Sequence, residues 1–255
     1  VDAFWKVPHF EKMLYDNAQL IGVYAYASAL SGRQDFSAIT ARTIEFCEQQ
    51  LKSDEGLMFS AYDADSEGVE GLYYTYTYQE LQDILGDDTV FFCQYFQCNK
   101  EGNWEHGRNI LYAINTIEKA AQEYDMSESV FANIIQQCLN KLKAHRSTRI
   151  KPGLDNKCIL SWNALYLKGL SQAGRLLNKT DYINLAKSLA TAIDKHFNQE
   201  KDLMRIYSNG RGKIQAYLED YACLIDAYIE LYQASFDDQY LKRAGLLTQT
   251  CITQF

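Results

Sequence analysis

The chain has 255 residues and a formal net charge of −8, with 47% hydrophobic and 23% charged residues. A negative surface repels phosphate groups, so we expect neither nucleic acid nor an anionic membrane as a partner. Only 2 prolines interrupt the sequence, which favours long helices. No apolar run has the roughly 18 residues that span a bilayer. The 7 cysteines are scattered without a C-x-x-C pair, as expected for a reduced, cytoplasmic protein.

A repeated unit organises the sequence. Three short segments align without gaps, and each opens a stretch with apolar residues at helical spacing: Tyr15–Ala18, Ser161–Ala164 and Glu219–Ala222. A second apolar stretch begins at the same distance further on in each copy, after a short polar break: at Phe36, Tyr182 and Tyr240. The equal spacing predicts one helix-turn-helix hairpin that occurs at least three times.

In chain order, the first predicted hairpin consists of a helix from Tyr15 and a helix over Phe36–Leu51. A short β-hairpin link is predicted over Gly56–Tyr62. The repeat is then obscured as far as Ile150. The elements predicted in that segment are a strand at Tyr73–Thr77, a helix at Tyr78–Leu85 ending at Gly86, a loop at Glu101–Arg108 and a returning helix at Ser127–His145.

A loop over Thr148–Lys157 leads to the second hairpin, whose outer helix is predicted over Tyr182–Phe197. The segment Asp202–Tyr207 resembles the first link and leads to the third hairpin, with an outer helix over Tyr240–Phe255. The sequence therefore predicts an all-α protein, an α/α toroid with short β-hairpin links, as a single domain over residues 1–255. The repeat length leaves room for about four units where a closed ring has six, so we expect a partial toroid.

Repeat-equivalent residues are the first candidates for a site. In a ring of hairpins, the first helix of each unit is an inner helix, and the inner helices present the same end to one opening, here called the mouth. Asp16, Trp162 and Asp220 are equivalent positions and are expected there. The two aspartates either complement the positive end of a helix or act as an acid and base pair on a sugar.

An acidic run, Asp63–Gly68, lies in a linking loop. It begins like an EF-hand calcium loop, but its twelfth position is Tyr74 where such a loop needs a bidentate Glu. The alternatives are a solvated turn, or a placement of Asp63 or Asp65 at the mouth as a substrate-binding or catalytic carboxylate. His9 is either a packed residue or a general base. No Cys or His spacing suggests a metal site, and no phosphate-binding loop suggests a cofactor.

Aromatic residues near the predicted mouth are either core residues or surfaces on which a sugar ring stacks. The aromatic candidates for substrate binding are Trp5, Tyr15, Tyr62, Trp162 and Tyr221. The polar candidates, near junctions between loops and inner helices, are Asp155, Lys157, Asn163 and Arg211.

Several of these segments resemble one family in order along nearly the whole chain: Val1–Ala18, Asp63–Gly68, Asp155–Lys157, Ser161–Asn163 and Leu218–Ala222. The sequence is similar to the thioredoxin-domain-containing family that includes spermatogenesis-associated protein 20. The resemblance implies a thioredoxin-like domain followed by a toroid similar to six-hairpin glycosidases and N-acylglucosamine 2-epimerases. This chain corresponds to the toroid part, so we expect a fragment of a longer protein whose thioredoxin-like domain is a partner.

Two classes of function follow. The toroid relatives imply a carbohydrate-related enzyme, for example a glycosidase with an aspartate pair, whereas the epimerase route needs two histidines and only His9 is a candidate at the mouth. The alternative is a non-catalytic module that recognises a glycan, a peptide or its own thioredoxin-like domain.

Overall fold

The computed structural model describes residues 2–199 and 202–255. Its helices are α1 Leu14–Ser31, α2 Gln34–Phe46, α3 Tyr78–Leu85, α4 Thr89–Tyr95, α5 Ile117–Glu123, α6 Glu128–Arg146, α7 Leu160–Leu176, α8 Thr180–Phe197, α9 Leu218–Ser235 and α10 Asp238–Gln254. Its strands are β1 Lys12–Met13, β2 Ala61–Tyr62, β3 Asp65–Ser66, β4 Val69–Glu70, β5 Tyr76–Thr77, β6 Arg108–Asn109, β7 Leu154–Asp155, β8 Cys158–Ile159, β9 Asn198–Gln199, β10 Asp202–Ser208 and β11 Arg211–Gln215.

The contacts divide the chain into two compact units. The hairpin unit comprises Lys12–Tyr62 and Leu154–Phe255, and the insert unit comprises Asp63–Gly153 together with residues 2–11. Each unit is described by itself below. The assignment of residues 1–255 to one domain stays a prediction.

Helix pairs form the hairpin unit, as the repeat predicted. Helix α1 packs against α2, α7 against α8 and α9 against α10, while α7 lies between α1 and α9. The inner helices α1, α7 and α9 begin at Leu14, Leu160 and Leu218. Asp16, Trp162 and Asp220 are therefore each the third residue of an inner helix, so the repeat assigned equivalent positions correctly.

Short antiparallel strands precede all three inner helices: β1 before α1, β8 before α7 and β11 before α9. Lys12 of β1 pairs with Tyr62 of β2, and Cys158 of β8 pairs with Tyr207 of β10. The predicted link at Asp202–Tyr207 is part of a true hairpin, because β10 also pairs with β11. The predicted link at Gly56–Tyr62 differs: a tight turn closed by the Ser53 N–H to Leu57 O bond comes first, and only Ala61–Tyr62 is a strand.

The inner helices approach each other closely at glycine. A Cβ atom on Gly169 of α7 would lie 2.5 Å from the carbonyl oxygen of Ala18 in α1. Gly169 is buried, and Ala18 belongs to the apolar cluster shared by α1, α7 and α9, in which Ile21, Ala164 and Leu167 are fully buried. The small side chains allow the backbones to approach, which aligns the first turns of neighbouring inner helices.

The insert unit has its own apolar core, with Leu81, Phe92 and Phe131 fully buried. Helix α3 has the predicted bounds, and the Thr77 hydroxyl and Glu80 carboxylate form a capping box at its start. The returning helix α6 begins after Ser127, whose hydroxyl accepts a hydrogen bond from the Val130 N–H.

The obscured segment also contains elements that the sequence did not predict. Helices α4 and α5 were missed because each spans only 7 residues, too few to show a helical period. The predicted strand at Tyr73–Thr77 is shortened to β5, because the N–H groups of Tyr74 and Thr75 both donate to the Gly71 carbonyl and form a turn. In the described part of the chain, no helix has the length and apolar character needed to cross a membrane.

Candidate functional site

The mouth of the hairpin unit consists of the first turns of α1, α7 and α9. Tyr15 of α1 and Trp162 of α7 meet edge to face, with ring centroids 4.8 Å apart. Both side chains are half-buried, and the neighbouring Asp16 is exposed. An aromatic pair beside an exposed carboxylate offers a stacking surface and a hydrogen-bond acceptor at the same place.

Asp220 has the same position in α9 but is fully buried. One carboxylate oxygen accepts a hydrogen bond from the Ser161 N–H of α7 at 3.2 Å. The other accepts from the Tyr217 N–H at 2.9 Å and from the Arg205 guanidinium at 2.8 Å. Asp220 therefore caps the start of α9 and forms a buried ion pair with Arg205. Because its oxygens are occupied in this way, the geometry does not favour Asp220 as an acid or base.

Arg205 is the charged partner that holds Asp220. Its guanidinium also lies 3.4 Å from the exposed Glu219 carboxylate and 4.7 Å from the centroid of the Tyr217 ring. Burial lowers the pKa of Arg205, but hydrogen bonds and attraction from Asp220 and Glu219 outweigh that effect and raise it overall. Arg205 therefore remains a cation that joins the β10 strand to the start of α9.

Asn163 is also occupied by structural contacts. Its amide exchanges two hydrogen bonds with the backbone of Met58, at 2.8 and 3.0 Å, and donates to the Ile159 carbonyl at 2.9 Å. The repeat-equivalent Asn17 donates to the Met13 carbonyl in the same way, at 2.7 Å. Because its amide group is buried and bonded to backbone, the geometry favours a structural role over direct contact with a substrate.

Further along the inner helices, polar pairs join α7 to α9 at repeat-equivalent positions. Lys168 lies 2.7 Å from Asp226, and Gln172 donates to Glu230 at 3.3 Å. Arg175 also lies 3.1 Å from Glu230. These contacts show that the repeat register extends beyond the first turn and keeps the two helices aligned.

The other predicted residues of the hairpin unit have different surroundings. Tyr221 is buried in the core against Phe255, with ring centroids 5.8 Å apart. Tyr62 is half-buried in β2, and Arg211 is exposed at the start of β11. Asp155 and Lys157 are exposed and form an ion pair at 3.1 Å, so both are accessible.

Asp63 and Asp65 belong to the insert unit and are exposed. Strands β3 and β4 form a hairpin whose two turn residues, Glu67 and Gly68, have φ values of 55° and 76°, as in a type I′ turn. The Asp63 carboxylate accepts a hydrogen bond from the Asp65 N–H at 3.3 Å. The acidic run from Asp65 onwards is thus part of a β-hairpin over Asp65–Glu70.

His9 and Trp5 also belong to the insert unit. The His9 ring lies 3.5 Å from the Glu11 carboxylate, and its side chain is exposed. Trp5 is 82% exposed in a turn that the Asp2 carboxylate closes through the N–H groups of Lys6 and Val7. Among residues 2–199 and 202–255, no group of three or more His, Cys, Asp or Glu side chains could hold a metal ion.

Arg205, Tyr217 and Glu219 were not identified from the sequence. Arg205 could have been identified by aligning the two similar links. In that alignment Leu203-Met204 matches Leu57-Met58, and Arg205 occupies the position of Phe59. A cation in a link just before an inner helix that carries a buried aspartate is a natural partner for that aspartate.

Curated relatives match almost the whole chain. Spermatogenesis-associated protein 20 of Homo sapiens is 29% identical over 98% of this chain, and that of Mus musculus is 28% identical over 98%. Spermatogenesis-associated protein 20 is a homologue of this chain. An uncharacterized protein of Caenorhabditis elegans is 30% identical over the full chain. The chain spans 36 to 39% of the length of these relatives, and no protein-family model matches it.

Two solved structures share the fold. A sugar epimerase from a ruminal bacterium superposes with a TM-score of 0.56 and 12% identity, over 94% of this chain and 43% of that chain. Cellobiose 2-epimerase from Bacillus thermoamylovorans superposes with a TM-score of 0.52 and 10% identity, over 93% of this chain and 43% of that chain. The α/α toroid predicted from the sequence is thereby confirmed.

Proposed function

We propose that the hairpin unit binds carbohydrate at its mouth, with the Tyr15 and Trp162 rings as the stacking surface. The observation that carries this proposal is the 4.8 Å aromatic pair at the first turns of α1 and α7, beside the exposed Asp16 carboxylate. Sugar rings present apolar faces that pack on aromatic rings and hydroxyl groups that donate to carboxylates. The fold shared with two sugar epimerases supports this class of ligand.

The buried contacts at the mouth supply rigidity in this proposal. Asp220 joins α7, α9 and β10 through the Ser161 N–H and Arg205, and Asn163 joins α7 to the turn that contains Met58. Such contacts hold the Trp162 ring in place before a ligand arrives, which reduces the entropy lost on binding. Asp155 and Lys157 are the exposed polar groups that we add to the sugar-binding surface.

A carbohydrate-active enzyme is the second candidate. It is favoured by the sugar epimerase fold and by the exposure of Asp16, whose carboxylate is accessible to a bound ligand. A pair of Asp16 and Asp220 is not part of this candidate, because both oxygens of Asp220 are bound by donors. Asp63, Asp65 and His9 belong to the insert unit, and their catalytic role stays a prediction from the sequence.

The test is titration calorimetry of the full-length protein with a panel of monosaccharides and disaccharides that includes cellobiose. Trp162→Ala is expected to weaken binding about 10-fold, since removing a stacking ring costs on the order of 1.5 kcal/mol. Trp162→Phe keeps an aromatic face and is expected to bind within about threefold of the unchanged protein.

Circular dichroism and urea unfolding of both variants separate a binding defect from a folding defect. If the Trp162→Ala variant folds normally and binds every sugar as tightly as the unchanged protein does, the proposal that carbohydrate binds at the mouth is wrong. For the second candidate, product formation by the parent and its loss in Asp16→Asn, with sugar binding retained, would support catalysis. Equal turnover in both proteins would rule out Asp16 as a catalytic residue.

A further inference from the structure

A cavity of about 280 Å³ lies within the hairpin unit, where the turn after α2, the strand β8 and the tip of the β10–β11 hairpin meet. Phe59 and Tyr207 contribute aromatic rings to its wall, and Asp54 and Glu55 contribute carboxylates. The function proposed for the mouth uses none of these residues. The cavity is large enough for a small organic molecule.

Ser53 points to a ligand independently of the charges. Its side chain borders this cavity and is only 7% exposed. The hydroxyl is buried and has no hydrogen-bond partner, although its backbone N–H is bonded to the Leu57 carbonyl. A buried polar atom without a partner costs stability, and a ligand in the cavity that donates or accepts a hydrogen bond removes that cost.

The charges around the cavity favour a cation. In the described part of the chain, neither Asp54 nor Glu55 has an ion-pair partner. Lys52 also borders the cavity, but its ammonium lies 2.6 Å from the Glu48 carboxylate and is neutralised by it. Two uncompensated carboxylates beside two aromatic rings attract a positive head group through Coulomb and cation–π interactions.

The Glu55 carboxylate contributes to the pKa shifts of two groups that border the cavity. Burial raises the pKa of the Cys158 thiol to about 12, and the Glu55 charge adds to that rise. Burial also raises the pKa of Tyr207, again with a contribution from Glu55. Both groups border the cavity, and both stay neutral at pH 7.

We propose that this cavity is a binding site for a small primary amine, whose ammonium group lies between Asp54, Glu55 and the Ser53 hydroxyl, with Phe59 and Tyr207 against its carbon chain. The cavity shares no residue with the mouth, although Asn156 at its border lies between Asp155 and Lys157 of the sugar-binding surface. A neutral polyol lacks the charge that these carboxylates select, so it is expected to bind much more weakly.

The test uses the full-length protein with 1,4-diaminobutane as the probe and 1,4-butanediol as its uncharged counterpart, both followed by NMR titration. The diamine is expected to bind at least about 10-fold more tightly than the diol. The double variant Asp54→Asn/Glu55→Gln is expected to lose at least about 10-fold in diamine affinity, and Ser53→Ala about threefold. Trp162→Ala, which changes the mouth alone, is expected to bind the diamine normally.

The control for unspecific attraction to an acidic protein is Glu67→Gln/Glu70→Gln, which removes the same charge from exposed positions of the insert unit. The proposed site is supported if diamine affinity is unchanged in this control variant and reduced in Asp54→Asn/Glu55→Gln. Equal reductions in the two double variants, or equal binding of diamine and diol, overturns it. The diamine result is independent of sugar binding, so failure of this proposal and failure of the carbohydrate proposal are distinguishable.

Discussion

Asp16 and Asp220 occupy the same position in two copies of one repeat, yet their side chains have opposite surroundings. Asp16 is exposed in the first turn of α1, whereas Asp220 is 0% exposed and bound by Arg205 and two backbone N–H groups. The repeat therefore gives both aspartates the same position in the backbone. The segment before each inner helix determines which groups contact the carboxylate.

This contrast predicts unequal effects of the same substitution. Asp220→Asn is expected to lower the free energy of unfolding by about 3 kcal/mol, because Arg205 then loses its buried counter-charge and keeps only the exposed Glu219. Asp16→Asn is expected to change it by no more than about 0.5 kcal/mol, since an exposed first-turn carboxylate contributes little. Urea unfolding followed by circular dichroism measures both. Equal losses would show that Asp220 is not the cap inferred from its contacts.

At the scale of elements, glycine decides how closely the inner helices approach. Gly169 of α7 faces the Ala18 carbonyl of α1, whereas Gly245 in the outer helix α10 has nothing within 4 Å of where its Cβ atom would lie. Both glycines are helical residues. Replacing Gly169 with alanine therefore tests packing, whereas the same replacement at Gly245 tests helix propensity alone.

We expect Gly169→Ala to destabilise the hairpin unit by about 1–3 kcal/mol, because the new methyl group meets backbone that cannot rotate away. Gly245→Ala is expected to stabilise it by about 0.5–1 kcal/mol through helix propensity. Thermal and urea unfolding of the two single variants give the sign of each change. A stabilising Gly169→Ala would show that α1 and α7 are not in close contact.

Elements with local signals were the most predictable. The helix at Tyr78–Leu85 could be bounded from sequence because a capping residue and Gly86 flank it. Helices α4 and α5 could not, since each is short and depends on contacts with Phe131 and its neighbours in the insert core. Similarly, the strand composition of Tyr73–Thr77 was outweighed by hydrogen bonds to the Gly71 carbonyl.

At the scale of the whole molecule, the segment Asp63–Gly153 lies in sequence between two paired strands of the hairpin unit. Tyr62 at the end of β2 pairs with Leu154 at the start of β7. A two-residue turn can join an antiparallel pair at such a position. The hairpin unit also has its own buried cluster, which includes Leu14, Tyr166 and Tyr228.

A chain of residues 12–62 joined by Asn-Gly to residues 154–255 is therefore expected to fold. Its far-UV circular dichroism is expected to be strongly helical, with one cooperative unfolding transition. A comparison chain that joins residue 58 to residue 158 loses β2 and β7 and is expected to unfold at lower urea concentration. If neither chain shows a cooperative transition, the hairpin unit depends on the insert for its stability.

The sequence by itself determined the repeat, the helix hairpins and the equivalence of Asp16, Trp162 and Asp220, because helical periodicity and short turns are local properties of the chain. The tertiary structure decided what each equivalent residue does. Asp220 is bound by Arg205 and Ser161, which lie 15 and 59 residues away, and Trp162 meets Tyr15 across two helices. Burial and hydrogen-bond partners depend on such distant contacts, so one repeat position became an exposed carboxylate, a ring surface and a buried cap.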